Sequence, residues 1–174
     1  MERDAILVEV KPGLRERIPP LTLAEFKPIR AAEPALRRLK EEGFLLIVTT
    51  SQPGLSRGNL SRRELDRMHE LLRRVFPLDD LLVCPHDAVD HCSCRKPQPG
   101  LLLEAGFKWR LNLDGSFVVS DAWQDARAAR LAGCTSLLVR SPWNGNVHRD
   151  LVLDDLGQIA AKIVQLTRPQ LEYA

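Results

Sequence analysis

The sequence predicts an α/β fold in which a parallel sheet of about five strands is covered by helices on both faces. Short apolar runs alternate along the chain with amphipathic helical patterns, which is typical of such sheets. The 174 residues are 44% hydrophobic and 28% charged, which suits one core under a solvated surface. Because no repeat, low-complexity tract or long linker divides the sequence, we expect a single domain over residues 1–174.

The predicted strands are short apolar runs. The first is rich in Ile, Leu and Val and ends in a Lys-Pro-Gly turn, which indicates a buried strand. Four further runs of four to seven residues alternate with the helical segments. The five predicted strands are Ala5–Val10, Phe44–Thr50, Leu81–Cys84, Phe117–Ser120 and Ser136–Val139.

The predicted helices follow the spacing of apolar residues. In the first helix, Ala and Leu recur on one face, Arg and Lys lie on the other, and Gly43 provides the stop signal. In the second, Leu65, Met68 and Leu72 recur at helical spacing. The five predicted helices are Ala31–Glu42, Leu60–Val75, Gly100–Ala105, Trp123–Leu131 and Asp155–Thr167.

Charge and hydropathy narrow the range of functions. Lys and Arg number 25 and Asp and Glu 23, so the net charge is +2. Proteins that bind nucleic acid or membrane surfaces usually carry a clear basic excess, so we expect neither partner. No apolar run approaches the roughly 20 residues needed to span a bilayer, and the charged N-terminus does not resemble a signal peptide. We therefore expect a cytoplasmic protein.

A cysteine-rich loop over residues 84–94 predicts a metal site. Cys84, His86, Cys92 and Cys94 offer three thiolates and one imidazole, a typical tetrahedral zinc set. Four protein ligands leave no position for a reactive water, so we expect structural Zn²⁺ that orders the loop. His91 is a competing ligand to His86. Cys134, which follows a glycine next to a predicted strand, is expected to be a core thiol.

Ligands of parallel sheets bind beyond the carboxyl ends of the strands. Three segments at such ends carry groups suited to phosphate and magnesium. The loop Thr50–Gly58 offers hydroxyls, among them Ser51, and glycines; Lys96 follows the cysteine loop; and Asp121 and Asp125 lie four residues apart. Hydroxyls and backbone amides can hold phosphoryl oxygens, a lysine can neutralise their charge, and paired carboxylates can hold Mg²⁺.

Together these segments resemble the haloacid dehalogenase (HAD) superfamily of phosphohydrolases, whose fold is Rossmann-like. The cysteine loop followed by Cys-Arg-Lys-Pro-Gln-Pro-Gly is similar to the branch of the heptose bisphosphate and histidinol-phosphate phosphatases, and the chain has room only for a small cap or none. The resemblance implies that Thr50 binds phosphate and that Lys96 is the third-motif lysine. It implies that Asp121 and Asp125 are the fourth-motif acids, and that Arg57 and Arg95 contact phosphate or sugar.

If the first predicted strand carries the first motif, that motif departs from the family pattern. The family has Asp-x-Asp-Gly-Thr after its first strand, where the first Asp attacks phosphorus and the second is the general acid. The residues after the first predicted strand place Glu9 at the nucleophile position and Lys11 at the general-acid position. Asp4 is expected to face away from the site. We expect Lys11 to pair with Asp121 and to replace the charge of Mg²⁺.

Three kinds of function follow from this altered motif. The sequence favours a relative of the heptose bisphosphate and histidinol phosphatases that is catalytically impaired or inactive and binds a small phosphorylated metabolite or a protein partner. The first alternative is an active Mg²⁺-dependent phosphatase that uses Glu9 in an unusual way. The second is a zinc-stabilised interaction scaffold with no ligand in the pocket. A shift of the melting temperature on adding an anion would distinguish a binding pocket from the scaffold.

Overall fold

The computed structural model describes residues 1–13 and 17–168. Its strands are β1 (Lys11–Pro12), β2 (Arg17–Ile18), β3 (Ile47–Ser51), β4 (Asp80–Cys84), β5 (Phe117–Ser120), β6 (Thr135–Val139) and β7 (Leu151–Leu153). Its α-helices are α1 (Glu33–Glu41), α2 (Arg62–Val75), α3 (Gly100–Trp109), α4 (Trp123–Ala132) and α5 (Leu156–Thr167).

The strands β3 to β7 form two parallel groups joined through the N-terminal residues. β3 pairs with β4, and β6 lies between β5 and β7. The Met1 ammonium donates to the Ile47 carbonyl at 2.7 Å, and the Thr49 amide donates to the Met1 carbonyl at 2.9 Å. On the other side, the Glu2 amide donates to the Val119 carbonyl at 2.9 Å. Met1 and Glu2 therefore lie between β3 and β5 and connect the two groups into one layer.

Helices cover both faces of this layer, as predicted. Apolar residues of α1, α2 and α5 share the larger core with Val48 and Val119. On the opposite face, α3 packs on Ile47 and Leu82, and α4 packs on Val118. Because successive strand residues point to opposite faces, one apolar strand supplies both cores. Cys134 is buried beside Val118, on the face that α4 covers, as expected for a core thiol.

The first predicted strand is wrong, although its residues are buried. The segment Ala5–Val10 forms a tight turn, because Ala5 adopts a left-handed backbone with φ of 66°. Its strand-like pairing is limited to isolated bridges of Val8 with Asp4 and with Pro28. The amides of Leu7 and Val8 then donate back to the Arg3 carbonyl at 2.9 and 3.1 Å. The pattern of Ile, Leu and Val reports burial here and does not distinguish a strand from a buried turn.

The other predicted strands are confirmed within three residues at each end, and the helices lie where the apolar spacing predicts them. Helix α3 continues four residues beyond its predicted end, to Trp109. Two features were not predicted: β7, which extends the sheet beyond β6, and the short antiparallel hairpin of β1 and β2. No helix in residues 1–13 and 17–168 is long and apolar enough to cross a membrane.

A buried arginine and histidine lie beneath the N-terminal segment. The side chain of Arg3 is fully buried, stacks over the Phe26 ring at 5.5 Å and donates to Nε2 of His69 at 3.3 Å. Because a guanidinium has no acceptor, Nε2 of His69 must accept, which places the ring proton on Nδ1. Burial first, and then the Arg3 charge, lower the pKa of His69 from 6.5 to about 3.

We expect this histidine to make the protein less stable in mild acid. Between pH 6.5 and 3 the unfolded chain binds a proton at His69 that the folded chain excludes, so stability falls as the pH falls through that range. At pH 5 the loss is about 2 kcal/mol relative to pH 7. Denaturant unfolding at both pH values should show a loss of stability toward pH 5 that is smaller in His69→Gln than in the wild type by about this amount. His148→Gln, at an exposed position, is the control and should lose as much stability toward pH 5 as the wild type does. A pH dependence in His69→Gln equal to that of the wild type would contradict the role of His69.

Candidate active site

A pocket of about 590 Å³ opens at the carboxyl ends of β3 and β5 and above the start of α4. This is where ligands of parallel sheets bind. The lining combines acidic, basic and aromatic side chains, including Glu2, Asp4, Arg17, Ser51, Gln52, Arg57, Arg95, Lys96, Trp123, Asp125 and Trp143. The residues between β3 and α2 form only turns, so no large cap is inserted there.

Lys96 lies at the centre of the acidic side of the pocket. Its Nζ contacts Glu2 Oε2, Asp125 Oδ1 at 2.5 Å and the Thr49 carbonyl at 2.8 Å, and its side chain is nearly buried. Burial opposes the charge of Lys96, but the carboxylates of Asp125 and Glu2 outweigh it and raise the pKa of the lysine. Burial likewise opposes ionisation of Glu2, yet Lys96 lowers the pKa of Glu2 to about 2. Lys96 and Glu2 are therefore both charged at neutral pH.

The prediction that Glu9 and Lys11 form the first motif is wrong. Glu9 is exposed, and its amide donates to the Lys27 carbonyl. The ammonium of Lys11 pairs with Glu25 at 2.7 Å, and two thirds of the Lys11 side chain is exposed. Lys11 therefore does not pair with Asp121. The error follows from the first predicted strand, because a strand over residues 5–10 would have placed Glu9 near its carboxyl end.

Glu2 and Asp4 line the pocket in place of those residues. The expectation that Asp4 faces away is wrong: its carboxylate accepts from Arg3 Nε at 2.9 Å and from Gln52 Nε2 at 3.0 Å, beside the loop after β3. Burial first raises the pKa of Asp4, against the lowering effect of Arg3. The left-handed turn at Ala5 returns the chain directly after Asp4, a conformation that glycine adopts most easily. Glu2-Arg3-Asp4-Ala5 thus fits Asp-x-Asp-Gly with two substitutions, a signal present in the sequence that the strand prediction obscured.

The carboxyl end of β3 places the Ser51 hydroxyl at the pocket, whereas Thr50, which was predicted to bind phosphate, is not among the residues that line it. Thr50 is fully buried, and its Oγ1 accepts from Gln52 Nε2 at 2.9 Å. The hydroxyl of Ser51 is buried and has no hydrogen-bond partner among the described residues. Since a buried polar group without a partner costs about 1–3 kcal/mol, a ligand oxygen at this position would be stabilising. Arg57 lies farther out at the rim.

Asp121 lies on the other side of Asp4 and pairs with Arg17. Arg17 Nη1 contacts Asp121 Oδ1 and also donates to the Asp4 backbone carbonyl at 3.3 Å. Burial raises the pKa of Asp121 to about 6, although Arg17 acts in the opposite direction. The carboxylates of Glu2 and Asp121 and the carbonyl of Asp4 are the hard oxygen donors that Mg²⁺ prefers. The Arg17 guanidinium, a cation, already lies against the Asp121 carboxylate and the Asp4 carbonyl. The set of oxygen donors therefore fits a metal cation.

The four residues predicted to bind zinc form one cluster. Their ligand atoms all lie within 4.8 Å of one another. The Cys84 sulfur lies 3.7 Å from the Cys92 sulfur and 3.7 Å from His86 Nδ1, and Cys94 lies 3.3 Å from that nitrogen. A tetrahedral zinc site with bonds of about 2.3 Å has ligand atoms about 3.8 Å apart, so the cluster fits Zn²⁺. His91 is exposed and outside the cluster.

The loop over residues 84–94, which carries these four residues, also positions two arginines of the pocket. Arg57 Nε and Nη2 donate to the two carboxylate oxygens of Asp87 at 2.5 and 2.8 Å. Arg95 Nη1 donates to the His86 carbonyl at 3.1 Å. Asp87 directly follows His86, a residue of the cluster, and it holds Arg57. The His86 carbonyl itself holds Arg95. A well-ordered cluster would therefore fix the positions of both arginines.

We expect Gly100→Ala to disturb this loop. Gly100 begins α3, its amide donates to the Ser93 carbonyl at 3.0 Å, and a Cβ there would overlap that carbonyl group. Backbone cannot move aside as a side chain can, so the substitution should lower the free energy of unfolding by about 1–3 kcal/mol. Denaturant unfolding measures this. Gly157→Ala, where a new Cβ meets only the Asp155 side chain, should change stability by less than about 0.5 kcal/mol and is the control. Equal effects of the two substitutions would contradict the prediction.

Comparison with known proteins identifies the family. The HAD-hydrolase-like family model matches residues 93–159. The D-glycero-beta-D-manno-heptose-1,7-bisphosphate 7-phosphatase of Pseudomonas aeruginosa is 32% identical over 155 residues, which cover 83% of this chain and 87% of the relative. The chain belongs to the HAD superfamily, in its heptose bisphosphate phosphatase branch. The Escherichia coli K12 enzyme of the same name is 33% identical over 153 residues, covering 78% of this chain and 80% of the relative.

Solved structures of the HAD superfamily agree with this assignment. The D,D-heptose 1.7-bisphosphate phosphatase from B. bronchiseptica, complexed with magnesium and phosphate, superposes with a TM-score of 0.82 at 25% identity and covers 95% of this chain and 97% of its own. A putative HAD-like phosphatase from Mesorhizobium loti gives a TM-score of 0.74 at 28% identity, covering 97% and 86%. This HAD-family chain therefore shares nearly all of the fold of the first structure and most of the fold of the second.

Proposed function

We propose that this chain is a slow phosphohydrolase that acts on a small phosphorylated sugar, with Glu2 as nucleophile and Asp4 as general acid and base. The observation that carries the proposal is the pair of carboxyl groups two residues apart in one pocket. Lys96 keeps Glu2 ionised, whereas burial raises the pKa of Asp4. Carboxyl groups whose pKa values are shifted apart are suited to these two different roles.

The proposed reaction proceeds in two steps. A Glu2 carboxylate oxygen attacks phosphorus, the bond between phosphorus and the sugar oxygen breaks, and Asp4 gives its proton to the leaving alkoxide. Water then attacks the acyl phosphate, Asp4 accepts a proton from that water, and phosphate leaves with Glu2 restored. Lys96 and the Ser51 hydroxyl would hold the phosphoryl oxygens.

The metals would have separate roles. The carboxylates of Glu2 and Asp121 and the carbonyl of Asp4 would hold Mg²⁺, which when bound supplies positive charge beside the transferring phosphoryl group. The cluster of Cys84, His86, Cys92 and Cys94 would hold structural Zn²⁺, because four protein ligands close the coordination sphere.

The substrate class is inferred from the pocket and from the named relatives. A volume of about 590 Å³ suits a sugar of six or seven carbons with phosphate groups. Arg57 and Arg95 at the rim supply positive charge away from Lys96, where a second phosphate would lie. Relatives that match most of this chain are named as heptose 1,7-bisphosphate phosphatases, so this bisphosphate is the first compound to test.

A second candidate function is binding of a phosphorylated sugar without hydrolysis. It is favoured by the engagement of both Glu2 carboxylate oxygens. Oε2 contacts Lys96, and Oε1 accepts from the amides of Arg3 and Asp4 at 2.7 and 3.2 Å. Hydrogen bonds to both oxygens stabilise the negative charge of the carboxylate and make it a weaker nucleophile, which raises the barrier to attack.

Phosphate release from heptose 1,7-bisphosphate with Mg²⁺ tests the proposal, with histidinol phosphate as the comparison substrate. We expect slow turnover by the wild type and a further loss of about 10²- to 10⁴-fold in Asp4→Asn, because a general acid contributes that much. Glu9→Gln, at an exposed position, is the matched control and should keep wild-type turnover. Equal turnover by Asp4→Asn and the wild type overturns the proposal. Binding of the bisphosphate without any phosphate release supports the second candidate.

A further inference from the structure

Arg17 reaches into the acidic side of the pocket from a separate element. It lies on β2, the second strand of the short hairpin, opposite Pro12. Its guanidinium is mostly buried, and the Asp121 carboxylate that it contacts is more deeply buried. The hairpin therefore brings a positive charge to the carboxyl end of β5 from more than one hundred residues away in sequence.

The atoms that Arg17 contacts are those assigned above to Mg²⁺. Nη1 contacts the Asp121 carboxylate and lies 3.3 Å from the Asp4 carbonyl oxygen. Mg²⁺ binds oxygen ligands at about 2.0–2.1 Å and needs near-octahedral geometry. A guanidinium nitrogen within hydrogen-bond distance of both oxygens occupies the space between them. The two cations cannot hold this position together.

We propose that Arg17 is an internal cation that fills the divalent-metal position in the metal-free protein and sets the affinity of the site for Mg²⁺. The inference rests on the proposed function, because that function requires Mg²⁺ at these oxygens. In the metal-free protein, Arg17 balances the buried charge of Asp121, which would otherwise lie near Glu2 and Asp125 with no cation of its own. Binding of Mg²⁺ requires the guanidinium to leave, and the free energy lost with that ion pair weakens metal binding.

The hairpin offers a matched control for the test. Lys11 lies on β1 and carries the same charge, but it pairs with the exposed Glu25 outside the pocket. Removing the Lys11 charge therefore changes the charge of the hairpin without changing the contacts of Asp121. Arg17→Gln removes the charge at the metal position, and Arg17→Lys keeps a charge on a shorter side chain that does not reach as far toward the two oxygens.

The experiment is calorimetric titration of Mg²⁺ into the zinc-loaded protein, which needs no turnover. We expect Arg17→Gln to bind Mg²⁺ about tenfold or more tightly than the wild type, Lys11→Gln to bind as the wild type does, and Arg17→Lys to lie between. The metal-free Arg17→Gln protein should also melt at a lower temperature than the wild type and gain more from added Mg²⁺. Circular dichroism checks that each variant is folded.

The outcomes separate this inference from the proposed function. Equal or weaker Mg²⁺ binding by folded Arg17→Gln, or no binding by any variant, overturns the role of Arg17. Tighter binding by Arg17→Gln without phosphate release by any variant supports the role of Arg17 and overturns the proposed hydrolysis. An equal increase in Arg17→Gln and Lys11→Gln overturns the inference, because it would report only the net charge of the hairpin.

Discussion

Glu2→Asp is expected to raise phosphate release from heptose 1,7-bisphosphate by about 10²-fold. Glutamate is longer than aspartate by one methylene, which displaces the carboxylate by about 1.5 Å, and a misplacement of that order costs about 10²-fold in rate. In this chain the extra length also lets Glu2 Oε1 accept from the amides of Arg3 and Asp4. Steady-state phosphate release with Mg²⁺ measures the effect, which should be seen in kcat.

Two control variants make this prediction specific. Glu2→Gln retains the length of the side chain but removes the nucleophilic charge, so turnover should fall to the background rate. Glu9→Asp shortens an exposed glutamate in the same way and should leave turnover unchanged. A wild-type protein that turns over as fast as Glu2→Asp would show that glutamate is well placed, and the description of the enzyme as slow would be wrong.

Cys92→Ser is expected to release zinc and to lower the melting temperature by about 10 °C. Structural zinc contributes several kcal/mol or more to folding, and about 2–4 °C accompanies each kcal/mol in a chain of this size. Because Asp87 and the His86 carbonyl hold Arg57 and Arg95, KM for the bisphosphate should rise as well. Zinc content by atomic emission, thermal melting and KM are the three measurements.

His91→Ala is the control for zinc removal. His91 directly precedes Cys92 but lies outside the cluster, so its removal should leave zinc content at one ion per chain and the melting temperature near that of the wild type. Loss of zinc in His91→Ala would mean that His91 binds the metal. Loss of zinc in Cys92→Ser with an unchanged KM would show that the arginines do not depend on the loop.

Most of the fold could be predicted from local patterns. Helix α2 follows from Leu65, Met68 and Leu72 at helical spacing, and all three are fully buried in the larger core. The cluster of three cysteines and one histidine could be predicted because these residues lie within eleven positions of one another and thiolates with imidazole are typical metal ligands. Lys96, Asp121 and Asp125 were expected to lie near one another because each is close to the carboxyl end of a predicted strand or follows the cysteine loop, and the structure places Lys96 against Asp125.

The first motif could not be located in this way. Met1 and Glu2 are held between β3 and β5 by hydrogen bonds to Ile47, Thr49 and Val119, long-range contacts that no local periodicity encodes. The apolar run of Ala5–Val10 looked like the first strand because a buried turn and a buried strand share the same composition. Misplacing that strand put the predicted nucleophile at Glu9, seven residues along the chain from Glu2, the nucleophile proposed above.

By itself, the sequence determined the alternation of strands and helices, the cluster of three cysteines and one histidine, and the chemical character of the pocket. Only the tertiary structure decided that Glu2 and Asp4 face the pocket and that Arg17 pairs with Asp121. The reason is physical: local spacing controls which face of an element is apolar, whereas long-range contacts control which charged groups meet. Lys96 meets Glu2 from ninety-four residues away, and no periodicity in the sequence encodes that distance.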